Sequence, residues 1–198
     1  MKIIKSIREF FWPLMDEKLP EEPKELKTEE IVITDEHLLK TLEYAMNGYN
    51  AQEERRKTIE GKSSLFVGTI SVVTSVVIGI STTIIKSIQC NLFMIALYFL
   101  LFVLTIYLLR TIWFAIKVLE RATYHTLSFD DYNLNEAKAG YYKKVIVVVV
   151  NYTKRNSWVI DRKVESMVMA QEYFKRAIVT IGLCAVDLVL LFVNTQFL

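Results

Sequence analysis

From Leu65 to Ile85 the chain runs for 21 positions without a charged residue, close to the roughly 20 residues a helix needs to cross a bilayer. It therefore reads as a membrane-spanning helix, bracketed by Lys62 and Lys86. Its interior carries Gly68, Thr69, Ser71, Thr74, Ser75 and Gly79. Small and hydroxylated residues let spans approach closely and bond across the contact. Gly68, Ser71, Thr74, Ser75 and Gly79 are expected to be its helix-packing residues.

Two further runs follow. Leu92 to Leu109 is a second span of a different kind, with Phe93, Tyr98, Phe99, Phe102 and Tyr107 among leucines and isoleucines. That bulk suits a lipid-facing surface, and Arg110 and Trp113 mark its return to the interface. The loop Lys86 to Asn91 is so short that the two spans must form an antiparallel hairpin. Ala177 to Phe197 is a third span, broken only by Asp187, roughly mid-bilayer. An ionisable group there is costly and usually faces the bundle interior, a partner subunit or water. Asp187 is thus the candidate intramembrane functional residue, as a pore-lining or subunit-locking carboxylate. The plainer alternative is a protonated acid bonded to a hydroxyl of the first span.

Outside the spans the chain is polar. It is 53% hydrophobic with a mean hydropathy of +0.29, yet 23% of its residues are charged. The two figures fit together because apolar residues sit in blocks with charges between. Residues 1–12 read as an amphipathic segment, suited either to a membrane surface or to packing on protein. Arg8, Glu9 and Pro13 break it too early for a cleavable signal. Residues 13–30, acidic and holding Pro13, Pro20 and Pro23, read as a linker.

A helix should begin near Thr34, with Asp35 and Glu36 favoured in its first turn. Leu38, Leu42, Ala45, Tyr49, Gln52, Arg56 and Ile59 then keep one face toward a partner helix. The second span is expected to continue through Trp113 to Leu127, and Asp130 to Gly140 to form a turn region. The β-branched run Val145 to Val150 favours a strand locally, but a strand would lack a partner, so a helix from Asn135 to Lys154 is expected. Arg155, Asn156 and Ser157 then read as a turn. Val164, Met167, Val168, Gln171, Phe174 and Ile178 keep helical spacing into the last span.

The expected fold is an all-α integral membrane protein. Its three transmembrane helices extend as continuous rods into a cytoplasmic helical bundle. Residues 1–33 form an amphipathic segment and linker, and residues 34–198 a helical membrane domain with cytoplasmic helices 34–64 and 110–176. Basic residues set the orientation: Arg55, Arg56, Lys57 and Lys62 precede the first span, a dozen lysines and arginines lie within 110–176, and none follow the third span. By the positive-inside rule the N-terminus is cytoplasmic and the C-terminus extracytoplasmic, in a plasma (inner) membrane. That topology argues against glycosylation at Asn151-Tyr152-Thr153.

No constellation for catalysis is legible, and no cofactor or metal motif. His37 and His125 stand without a nucleophile motif nearby. Cys90 and Cys184 read as apolar free thiols. A net charge of +2 is too small to imply nucleic acid as a partner. Arg55, Arg56 and Lys57 could contact an anion or a partner, or could simply pair with Glu53 and Glu54 on the same helix.

The stretch Glu53 to Ser64 runs straight into a span, a tight two-span hairpin follows, and Asn156 to Lys163 leads into Ala170 to Ala177. Over about residues 36–185 this resembles the small prokaryotic membrane effectors of antiviral and nucleotide-signalled defence, of the SLATT or cyclase-effector kind. The resemblance implies a homo-oligomer in the inner membrane that perturbs or permeabilises the bilayer in abortive infection, triggered by a soluble protein partner. The other expectation is a membrane anchor or scaffold that recruits a soluble partner.

Overall fold

The computed structural model describes residues 12–13, 21–85, 92–132 and 137–197. Residues 1–11, the hairpin loop with Lys86 and Cys90, and the expected helix start at Asn135 lie outside the described residues. The chain is helical: α1 (Asp35–Ile85), α2 (Leu92–Leu119), α3 (Phe129–Tyr132) and α4 (Lys138–Phe197), with a 3-10 turn at Thr28–Glu30. Among the described residues there is no strand. Helices α1, α2 and α4 are each long and apolar enough to cross a membrane.

The chain divides into two compact units, with α1 and α4 contributing to both. One holds the apolar parts of α1, α2 and α4 together with Trp12 and Pro13. Here the Ser63 hydroxyl donates to the Ala115 carbonyl at 2.7 Å, and Tyr173 stacks on Phe114 with ring centroids 5.7 Å apart. With residues 61–119 and 165 onward in one unit, these contacts run α2 antiparallel to both neighbours. Its buried residues Met94, Leu97, Leu104, Leu108, Thr111 and Ala115 recur at steps of three, four and seven, one face of a helix.

In this unit apolarity does not mark the inward face. Phe99 and Phe102 point outward, each 65% exposed, as a lipid-facing surface would. Tyr107, expected with them, is instead buried. On α4 the residues of the expected helical spacing divide: Met167 is buried and Val164 and Phe174 half-buried, whereas Val168, Gln171 and Ile178 are exposed. The buried line is Ser166, Ala170, Tyr173, Ala177, Thr180 and Cys184. Lipid and protein interior are equally apolar, so small and polar residues, which permit close approach and bonding, decide which side turns in.

The second unit holds the remaining parts of α1 and α4 with the segments between and before them. The α1 face read from sequence turns inward as expected: Leu38 is buried, and Leu42, Ala45, Tyr49, Gln52, Arg56 and Ile59 are half-buried. Leu38, Ile31 and Ile146 form its core, with Leu26, Leu42 and Val150 packed around them. The run Val145 to Val150 is helical. Its β-branched residues cost a few tenths of a kcal/mol each in a helix. Burying Val145, Ile146 and Val149 stabilises by about 1.5–3 kcal/mol each, so burial wins.

Three expectations are overturned. Helix α2 ends at Leu119 rather than Leu127. Residues 120–128 are non-helical, and at their end the Ser128 N–H and hydroxyl both donate to Asp131 Oδ2, at 2.7 and 3.2 Å, at the start of α3. No turn occurs at Arg155 to Ser157, where α4 runs on unbroken. Without Pro or Gly nothing stops the helix, and Asn156 is buried with both amide groups bonded. Finally, residues 21–33 are not a free linker. Leu26 and Ile31 join the core, and Asn151 bonds both backbone polar groups of Leu26, at 2.8 and 3.0 Å.

Candidate functional site

Asp187 sits on the inward line of α4, one turn beyond buried Cys184, and is half-buried. Its Oδ2 is enclosed without a hydrogen-bond partner among the described residues. The same is true of the Tyr98 hydroxyl on α2. From the Phe114–Tyr173 stack, a rise of about 1.5 Å per residue puts Tyr98 about 24 Å and Asp187 about 21 Å toward the same end. Two polar groups without a partner among the described residues therefore lie within about one turn of each other in depth, inside an apolar unit. Leaving such a group unmet costs about 1–3 kcal/mol, more for a charge.

The alternative of Asp187 bonded to a span-one hydroxyl does not describe this arrangement. Those hydroxyls turn back on their own helix. Thr69, Ser71, Thr74, Ser75 and Ser81 each donate to the carbonyl four residues earlier, at 2.7–2.9 Å. This satisfies each hydroxyl without a second helix. Nor are the small residues expected to pack on α1 turned inward. Gly68, Ser71, Ser75 and Gly79 are exposed and Thr74 half-buried. A methyl added at Gly68 would meet nothing within 4 Å. Contact within the unit is made instead by Phe66, Val67, Ile70, Val73 and Val77.

At the polar end of α2, the Arg110 guanidinium lies 4.2 Å from the Trp12 ring centroid and 5.7 Å from that of Tyr173. The Tyr173 hydroxyl donates to the Pro13 carbonyl at 3.0 Å. Trp12 and Pro13 thus pack on protein.

The basic cluster of α1 lies in the second unit. Arg55 pairs with Asp161 at 2.9 Å, Arg56 with Glu53 at 2.5 Å, and Lys57 reaches Glu53 at 3.7 Å. Arg56 also lies over the Tyr124 ring, 4.6 Å from its centroid. Beside it Lys163, with a side chain only 8% exposed, pairs with Glu60 at 2.6 Å. Tyr124 donates to the same carboxylate at 3.5 Å. Burial pushes the Tyr124 hydroxyl pKa up, against the pull of Lys163. His125 is held through its backbone by Asn156, and its ring stacks on Tyr152.

Sequence reasoning missed Tyr98 as a buried polar group, Lys163–Glu60 as a pair, and the two asparagine clamps. A tyrosine in a span reads as bulk, and long-range pairs leave no periodic trace. One signal was available: Asn151 is an amide inside an expected helix, where such a residue pays in propensity and so invites a reason, whereas Asn156 falls in an expected turn.

No family model, curated protein or solved structure matches this chain.

Proposed function

We propose that this chain is a membrane effector of prokaryotic antiviral defence, of the abortive-infection kind. It oligomerises in the inner membrane and perturbs or permeabilises it once a soluble partner supplies the trigger. The observation that carries the reading is Asp187 Oδ2, a carboxylate oxygen enclosed without a partner among the described residues, in the apolar part of α4. Such groups mark ion pathways or helix-locking contacts, and a lone structural anchor has no use for one. The uncovered face of Gly68, Ser71 and Ser75 supplies a surface on which copies can meet, since small residues are what spans use to approach. Orientation follows the basic residues, with the N-terminus cytoplasmic and the C-terminus outside.

The alternative is an anchor or scaffold, favoured by exposed apolar side chains in the second unit: Val32, Leu39 and Tyr44 are 94%, 56% and 63% exposed. Inducible expression in a bacterial host with a membrane-potential dye separates the two. Rapid depolarisation that Asp187→Asn abolishes at equal membrane density is the expected result. Depolarisation unchanged in the variant removes Asp187 from the mechanism. A normal potential at high density, together with a stable partner pulled from native membranes, favours the scaffold.

A further inference from the structure

Arg110 is the first charged residue after the apolar run of α2, and its surroundings are unusual for a cation. Its guanidinium carbon lies over both the Trp12 and the Tyr173 rings. No carboxylate or other hydrogen-bond acceptor meets its N–H edge among the described residues. Seven residues on, Lys117 lies over the Phe114 ring, 5.6 Å from the centroid, also without a carboxylate among the described residues. Phe114 in turn stacks on Tyr173. The nearby acid is engaged elsewhere: Glu172 pairs with Lys175 at 2.8 Å and with Arg176 at 3.1 Å. One aromatic stack thus carries two cations whose charge no carboxylate among the described residues neutralises.

We propose that Arg110, assisted by Lys117, binds the headgroup phosphate of an anionic phospholipid. Guanidinium is the side chain whose planar donor fork matches a phosphate, and stacking on aromatic faces fixes its plane while leaving its edge free. Cation–π contact alone anchors Trp12 but leaves the guanidinium N–H donors without an acceptor among the described residues. A lipid rather than a soluble phosphate follows from the neighbours: Leu109 and Trp113 flank Arg110 and are 56% and 60% exposed. An acyl chain beside the headgroup would cover such side chains, whereas a soluble ligand would leave them bare. The site is independent of whether the chain permeabilises a membrane.

The test is native mass spectrometry of the full-length protein in detergent, titrated with phosphatidylglycerol or with diacylglycerol, which lacks the phosphate. Wild type should retain phosphatidylglycerol preferentially. Arg110→Gln should weaken that binding about tenfold or more, the loss of a charge-assisted hydrogen bond, and leave diacylglycerol retention unchanged. Lys117→Gln should weaken it less. Wild-type retention of phosphatidylglycerol by a folded Arg110→Gln overturns the proposal, as does equal retention of the two lipids by wild type. Displacement of phosphatidylglycerol by inorganic phosphate at matched concentration overturns the lipid assignment. Should Arg110→Gln fail to fold, Trp12→Leu unpins the guanidinium while keeping its charge. It should give an intermediate loss, and unchanged binding there is equally fatal.

Discussion

Asn156 holds both backbone polar groups of His125: its Oδ1 accepts from the His125 N–H and its Nδ2 donates to the His125 carbonyl, each at 2.9 Å. Five residues earlier on α4, Asn151 does the same to Leu26. Each amide takes the place that a neighbouring strand would take in a sheet, satisfying an extended backbone that has no strand beside it.

Asn156→Ala should therefore cost about 1–3 kcal/mol and free residues 120–128. Hydrogen exchange at the His125 amide reads this directly. Asn156→Asp keeps the acceptor but loses the donor, so it should protect that amide while still lowering stability. Unaltered exchange in the alanine variant would refute the clamp.

Lys163→Met should be more damaging than either single clamp variant. It leaves Glu60 half-buried without its ammonium, and breaking such a pair costs about 3–5 kcal/mol when fully buried. Glu60 is 34% exposed, which lowers the expectation to about 2–3 kcal/mol. Adding Glu60→Gln should restore part of the loss. Thermal melts of the four proteins in detergent give the coupling, and strict additivity would mean the pair is not coupled.

Asp187→Leu should raise thermal stability in detergent, by about 1–3 kcal/mol, because it removes an unmet polar atom from an apolar contact. A carboxylate kept at a stability cost is the pattern of a functional group. A destabilised leucine variant would show that the acid has a structural partner after all.

The pH dependence follows from Glu172. Hydrogen bonds from Lys175 first and Arg176 second hold its carboxyl pKa below the ordinary 4.5. A lowered folded-state value means the contribution is present above the unfolded pKa and is lost as pH falls through the folded one. Glu172→Gln should thus lower the melting temperature at neutral pH, and the difference should vanish well below pH 4.5. Because the side chain is 35% exposed, the effect should be small and weaken with salt. A difference that persists in acid would mean the glutamate acts by packing.

The long features were legible because their signals are local. Runs with at most one charge gave all three apolar helices, and the four-and-three spacing from Leu38 to Ile59 gave the inward face of α1. The misses share a physical cause. Residues 21–33 look too polar and proline-bearing to pack, but their backbone is satisfied by Asn151 and by Lys154, which donates to the Lys24 carbonyl at 3.2 Å. Those partners lie more than a hundred residues away. Beyond the end of α2 at Leu119 the chain is non-helical, and Asn156, more than thirty residues on, bonds the His125 backbone there. Of the candidate site, Asp187 stood out because charge is rare in a span. Tyr98 did not, because a phenol carries no charge to notice.

The orientation of Asp187 is, in the end, a matter of counting. Ala177, Thr180, Cys184 and Asp187 keep a three-four-three rhythm along α4, and each residue of an α-helix advances by about 100°. Gly182, between them, is exposed and has nothing within 4 Å of an added methyl. One alanine inserted there would swing everything beyond it by more than a quarter-turn and carry the carboxylate from the interior toward lipid. Three or four would bring it nearly back. The inner surface of this unit behaves like a thread on a screw, in which the phase of the helix, as much as the identity of its residues, holds the charge in its place.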